Sequence, residues 1–525
     1  MSWKRTCFIS LSTILSAMVP FYAIATPVAQ NETPSVSLHG LESIGIDTWT
    51  QLLQKGREAG LPVSELRPLL HETVITAKNE QQTFKKIREI LKTARLHSVD
   101  DYRDLGLMLL ELRQEMRQRS DLPLKSLQDS LYLLQLMAEE SLYIGSKKFT
   151  NFPPEISFSD KVSTFTKTGS LRQFSVQTGD VVLSKSTGFG SSSFIALTMD
   201  HPHIYSHSTP VYIDAKGEVL SPEAEIEDGV KLRNMRKDYV EGSKTRMYIY
   251  RFQGTEPGVP EKVVAGMENL VAEMFQRSGG DPYNKAAFLY DFSMTPGEAS
   301  TRGLFCSSVA YEAYSRAGLN NSANPYEKSL WSPINKGREV LLRSLNMNTY
   351  RVPAPGDMEL NKNFRLVGAR VDVTKLHQDR IEMAIIDTFL AELDTNKEAM
   401  ARLSAALEGV ASKSVDKEGL LKMANSGLLP KEFADKAALI QKIPDSINLK
   451  QMAFFALLNE VMTPKLRSIL LNEVSSLEKQ GRLVGPMELR QMVRAQKQTI
   501  ETELTAFEQK LTAITGVGLC GKVLL

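Results

Sequence analysis

Gly303-Leu304-Phe305-Cys306-Ser307-Ser308-Val309-Ala310 is the stretch on which the reading of this chain turns. Val309, Ala310, Ala313 and Ala317 mark one helical face, and Gly318 supplies a C-terminal stop. Cys306 therefore falls at or just before the first turn of a helix. That turn carries unpaired N–H groups and partial positive charge. Both favour a thiolate and lower the cysteine pKa, and the same donors can hold an oxyanion formed on a carbonyl under attack. The plain alternative is a small buried residue that begins a helix, a common fate of free cysteine.

A thiol of this kind needs a base. The chain has seven histidines, and His201, His203 and His207 lie close together. Ser206-His207 leads into Val211-Tyr212-Ile213-Asp214, which places His207 at the start of a strand, on a rigid element. The even spacing of the three histidines also fits a metal reading, because on a continuous strand they would share a face. Pro202 and the absence of a supporting Cys or carboxylate motif count against it, and no metal and no cofactor is expected. Glu223, Glu225, Glu227 and Asp228 follow Val219-Leu220. One carboxylate accepting from the second imidazole nitrogen would fix the tautomer of His207 and stabilise its cation. Four acids in so short a run are more often a solvated loop, and local sequence does not choose among them.

Outward from this centre the texture is α+β. Val181-Val182-Leu183, Val211-Tyr212-Ile213 and Met247-Tyr248-Ile249-Tyr250 read as short strands between Gly and Pro turns. Val263, Met267, Leu270 and Met274 form a helical stripe. On the N-terminal side the stripes are Phe84-Ile87-Leu91-Ala94, Leu105-Leu109-Leu112-Met116 and Leu127-Leu131-Leu134-Ala138, the second opened by a capping signal at Ser98 and Asp101. Asn151-Phe152-Pro153-Pro154 closes this part, since proline disfavours helix for itself and its predecessor. Val352-Pro353-Ala354-Pro355-Gly356 marks a second break. After Phe364-Arg365-Leu366-Val367 helical stripes return at Ile381-Ile385-Phe389-Leu393 and Met400-Leu403-Leu407, and Val493, Ile500, Leu504, Phe507 and Leu511 line one long helix near the end. The expected organisation is a leader at 1–25, a helical region at 26–150, an α+β domain at 155–352 and a helical region at 357–525.

The leader reading comes from Lys4 and Arg5, an apolar run from Cys7 to about Tyr22, and Ala23-Ile24-Ala25 as a small-x-small cleavage pattern. The run is shorter than the ~20 apolar residues of a spanning helix, and Pro20 interrupts it. A periplasmic or secreted protein with no stable membrane span after processing is expected. The formal charge is +2, and Lys4 and Arg5 account for it, so the rest of the chain is balanced. That balance gives no electrostatic case for a nucleic-acid partner. Of the three cysteines, Cys7 leaves with the leader, so Cys306 and Cys520 remain, either as one disulfide or as a reactive thiol and a bystander.

These pieces share an order with a known family. Gly179-Asp180-Val181-Val182-Leu183, then Ser206-His207, then Glu223-Ala224 before Gly229-Val230, then Asp281-Pro282-Tyr283, then Phe305-Cys306-Ser307 resembles the YiiX/YebB-like cysteine hydrolases. These are circularly permuted, papain-like relatives of the NlpC-type cell-wall peptidases and the lecithin–retinol acyltransferases, with the histidine ahead of the cysteine. The resemblance covers roughly residues 175–320. It implies Cys306 as nucleophile, His207 as base and Glu223 as the third, orienting residue, with Glu225 close enough to substitute. It places Gly179 and Asp180 beside the site and Tyr283 as an aromatic near the cleft. Ser208-Thr209-Pro210 departs from the family's apolar run, and Pro210, lacking an N–H, requires an edge strand or a bulge. The implied activity is thiol-dependent amide cleavage, foremost in peptidoglycan peptides. The rivals are a lipid or acyl-ester hydrolase or acyltransferase, and an inactive binding or scaffolding protein on the same fold.

Overall fold

The structure is a computed structural model. It describes residues 44–160, 164–198, 203–225, 229–240, 242, 244–253, 257–291, 303–319, 341–345, 347, 354–411, 454, 455 and 457–515. The leader at 1–25, His201, Glu227, Asp228 and Cys520 lie outside the described residues. The described chain mixes helix and sheet.

Five helices come first: α1 (Asp47–Lys55), α2 (Arg67–Thr76), α3 (Glu80–Leu91), α4 (Val99–Arg117) and α5 (Leu124–Lys148). Their starts are chemically marked. Asn79 accepts from the Gln82 N–H, and Ser98 and Asp101 form a reciprocal capping box at the head of α4. The three apolar stripes are buried, Phe84, Ile87, Leu105, Leu109, Leu131 and Leu134 among them.

The central sheet has five strands in the order β1-β10-β9-β4-β5, all antiparallel: β1 (Glu155–Ser159), β4 (Val181–Ser186), β5 (His207–Pro210), β9 (Lys244–Phe252) and β10 (Phe364–Asp372). Two small sheets flank it, β2 (Thr168–Leu171) with β3 (Phe174–Gln177), and β6 (Tyr212–Ile213), β7 (Val219–Glu225) and β8 (Gly229–Asn234). As Pro210 requires, β5 is an edge strand. Phe364-Arg365-Leu366-Val367, read as the run before the last helices, begins a strand in the interior of the sheet, between β1 and β9. The sheet thus draws residues from both sides of the break at 352–357. Asp372 ends β10 and caps the next helix by accepting from the Thr374 N–H at 3.2 Å.

The remaining helices are α6 (Gly190–Thr198), α7 (Val259–Arg277), α8 (Cys306–Arg316), α9 (Val373–Thr395), α10 (Lys397–Ala411), α11 (Thr463–Lys479), α12 (Pro486–Ala495) and α13 (Lys497–Thr515). The single long helix expected near the end is two, α12 and α13, separated at Gln496.

Each face of the sheet has its own core. Val181, Leu183, Tyr248 and Tyr250 point to one side and pack with Leu131, Leu134, Met137 and Leu142 of the N-terminal helices. Val182, Met247 and Ile249 point to the other, with Phe174, Ile213 and Tyr239. Lys185 and Arg246 are paired across β4 and β9 on the helix side. Arg246 donates to Glu139 of α5 at 2.7 Å and to Asp379 of α9 at 2.6 Å, and Lys185 pairs with Asp379. All four are buried. Burial pushes the Asp379 carboxyl up, but Arg246 and Lys185 outweigh it and hold the group below its ordinary range. Removing one member leaves a buried charge without compensation. Asp379→Ala is expected to cost about 3–5 kcal/mol, read as a lowered urea midpoint with the secondary structure unchanged in the absence of denaturant.

Candidate active site

α8 begins at Cys306 because the chain before it is held. Leu304 bridges to Tyr290 in parallel, with Leu304 N–H donating to Leu289 O and Asp291 N–H to Leu304 O. Gly303 makes this approach possible: its φ is +135°, and a Cβ there would lie 2.5 Å from the Leu289 carbonyl oxygen. Ser308 Oγ then accepts from the Phe305 N–H at 2.8 Å and ties down the first turn. At the other end Tyr314 Oη donates to Gly179 O at 2.8 Å. The helix is thereby fixed to the turn that opens β4, where Gly179 has φ +93° and a Cβ would meet Val263 at 2.3 Å.

His207 is the first residue of β5 and faces Ser184 across the ladder. Ser206 N–H donates to Ser184 O at 3.0 Å, anchoring the residue before it. Thr209 Oγ1 donates to Pro222 O at 2.7 Å and ties β5 to β7 beside Glu223. Here Glu223 faces His207, and Cys306 lies against the residue that precedes His207. Glu223 Oε2 is 3.7 Å from His207 Nε2, and Cys306 Sγ is 4.0 Å from the carbonyl oxygen of Ser206 and 3.8 Å from Ser307 Oγ. Cys306 thus rests against the backbone of the segment that carries His207. Cys306 is a free thiol.

The structure separates the two glutamates that sequence left open. Glu223 is 2 % exposed and accepts from Ser221 Oγ at 2.9 Å. Glu225 turns outward to an ion pair with Arg233 at 2.6 Å. Asp180 is fully buried but belongs to the frame, since Arg251 holds both its oxygens at 2.9 and 2.8 Å. It precedes Val181, the partner of Pro210, whereas His207 pairs with Ser184 at the opposite end of that ladder. Tyr283 is exposed and meets Phe275 edge-on at 6.1 Å, near Asp214 and Glu218 at the β6–β7 turn. It is not part of the group around Cys306. His203 is buried, its Nδ1 accepting from the Tyr205 N–H at 3.3 Å. Among the described residues no group of three or more His, Cys, Asp and Glu side chains could hold a metal ion.

The chain matches no protein-family model, no curated protein and no solved structure. The chemistry of the site therefore has to be argued from its own surroundings. Cys306 is 6 % exposed, and burial pushes its thiol up, only partly offset by the Ser307 hydroxyl, the Ser208 backbone and the charge of Lys244. This overturns the expectation of a lowered pKa at the helix start: loss of water outweighs the first-turn dipole. Burial, followed by the Lys244 charge, holds the imidazole of His207 well below its usual range. Burial pushes the Glu223 carboxyl up to about 7, against the pull of Lys244. At rest the thiol and imidazole are both neutral, and the carboxyl titrates near neutrality. Lys244, which sequence reading did not single out, is the cation among the described residues that acts on all three. A cavity of about 60 Å³ on the helix-facing side of the sheet is lined by Tyr132, Arg246, Asp379 and Arg490.

His207 Nε2 is buried and has no hydrogen-bond partner among the described residues. Such a group costs about 1–3 kcal/mol, and in a folded protein it asks for an explanation. A shift of about half an ångström would bring Glu223 within hydrogen-bond range.

The raised Glu223 carboxyl has a consequence for stability. The folded state keeps a proton that the unfolded chain releases between about 4.5 and 7, so stability falls as pH rises through that window. Relative to the parent, Glu223→Gln is expected to gain on the order of 3 kcal/mol between pH 4.5 and pH 7.5. Urea unfolding of both proteins across that range measures it, and a difference that does not change with pH would contradict the raised carboxyl.

Proposed function

We propose that this protein is a cysteine hydrolase on a permuted papain-like domain, with Cys306 as nucleophile, His207 as base and Glu223 as the orienting carboxylate. The observation that carries the reading is the convergence of a helix-start thiol, a strand-start imidazole and a buried carboxyl at one junction, with Nε2 turned to Glu223 and otherwise unpartnered among the described residues. The chain order, with histidine ahead of cysteine, agrees with the family resemblance.

Because thiol and imidazole rest neutral, the reading is general-base catalysis without a preformed ion pair. With Nε2 on the Glu223 side, the other ring nitrogen takes the Sγ proton as Sγ attacks a carbonyl carbon. The oxyanion falls to the first-turn N–H groups of α8. The imidazolium is stabilised by the Glu223 carboxylate, then passes its proton to the leaving group. Water, deprotonated by the same ring, cleaves the thioester and regenerates the thiol. Amide bonds in peptidoglycan peptides are the leading substrate class, resting on the family resemblance and on the export leader expected from the sequence. Acyl esters come second.

Two pH limits follow. His207 must be neutral, which its depressed pKa allows well below pH 6.5, and Glu223 must be charged to hold the imidazolium, which it becomes above about 7. The rate of Cys306 alkylation by iodoacetamide is therefore expected to rise through a limb near pH 7 that Glu223→Gln removes. His207→Ala is expected to slow the reaction about 10²-fold or more at pH 7.5. Mass analysis of the modified cysteine reads both, and equal rates in parent and His207→Ala would sink the proposal. Amine release from a peptidoglycan digest, set against ester cleavage, then assigns the substrate.

A further inference from the structure

β9 does not run in simple register with β4. Ser184 faces Met247 and Lys185 faces Arg246, but Ser186 faces Lys244, so Thr245 is an extra residue in the strand. Successive strand residues point to opposite faces. Without the bulge, Lys244 would share the helix-facing side with Arg246. With it, Lys244 is turned to the face of Ser184, Ser186 and His207. Bulges next to functional sites re-aim single side chains in this way. The Lys244 ammonium indeed lies on that face, 4.8 Å above the ring of Tyr239, which is packed with Val182, Met247 and Ile249. The Tyr239 hydroxyl lies beside Glu223.

The neighbourhood of Glu223 can be taken element by element. β7 itself brings Ser221 and Glu225, and β8 brings Lys231, directly opposite Glu223 in the ladder, and Arg233, which engages Glu225. The helical turn at 236–240 brings Tyr239, with Asp238 near Glu225, and β5 brings His207, against whose preceding residue Cys306 of α8 lies. Lys244 of β9 is the positive charge that reaches Glu223, His207 and Cys306 alike. We propose that Lys244 is a positioning residue of this site: reaching across Tyr239, its ammonium is the counter-charge that lets the buried Glu223 carboxylate stand charged beside His207. The proposal rests on the reading of Cys306, His207 and Glu223 given above. The same charge opposes protonation of His207 before the thiol has reacted and favours the thiolate as it forms, so it acts in one sense on all three groups.

The test compares the full-length protein with Lys244→Met and Lys244→Arg. Lys244 is only half-buried at the start of its strand, so both variants are expected to fold, checked by circular dichroism. The first readout is the protonation midpoint of Glu223, from its carboxyl infrared band assigned against Glu223→Gln. The second is the pH limb of Cys306 alkylation. In Lys244→Met both are expected to move upward together by roughly one to three pH units, and Lys244→Arg is expected to restore them. An unmoved midpoint in Lys244→Met overturns the proposal, as does an equal shift in both variants, which would make the effect one of packing. A parent protein whose Cys306 is inert at every pH overturns the thiol reading itself and the positioning role with it. The infrared midpoint would still report the charge pair, so the two failures are distinguishable.

Discussion

Lys185 and Arg246 stand side by side on neighbouring strands, out of reach of water, and each needs an anion. Glu139 arrives from the helices that precede the sheet and Asp379 from the helix that follows it. Desolvating such ions is expensive, and the attraction among them repays it only when the geometry is complete. The cluster therefore sets where α5 and α9 lie against β4 and β9. The second buried set follows the same logic, with Glu359 accepting from Arg113 of α4 and, at 2.6 Å, from Tyr250 of β9. One face of the sheet is given over to these locks, which leaves the other face for the site.

The division follows from strand alternation. Lys185 and Arg246 point to the helices, so Ser184 and Met247 point away, and His207 with them. The site lies where β4 ends and where β5 and β9 begin, so its side chains stand on strand ends whose positions are fixed by a rigid ladder. Glu223 is brought in from a separate small sheet, which the hydrogen bond from Thr209 to the Pro222 carbonyl ties to β5.

Much of this was legible in the residues. Apolar spacing found α3, α4, α5, α7, α9 and α10, because there the buried face repeats within a few residues, but not α1 and α2. Ser98 with Asp101 announced a helix start that the structure contains. Val181-Val182-Leu183 and Met247-Tyr248-Ile249-Tyr250 are strands, and Cys306 does open a helix. What escaped is non-local. No local pattern pairs Phe364–Asp372 with strands more than a hundred residues upstream. Nothing in Ala495-Gln496-Lys497, which has neither Gly nor Pro, announces the division of α12 from α13. The aim of Lys244 depends on one extra residue in a ladder whose partner is distant in sequence. The thiol was misjudged for the same reason: a helix start is visible in sequence, whereas the loss of solvent that outweighs it comes from packing.

That covering of the thiol has a further consequence. Peroxide and disulfides react with thiolates, and with exposed ones first. A cysteine that rests protonated, under the backbone of Ser206 and almost without access to solvent, is protected against oxidation by default. In surroundings rich in oxidants the sulfur would keep its reduced form without help from a reductase. The same burial that makes it slow to ionise also shields it from oxidants.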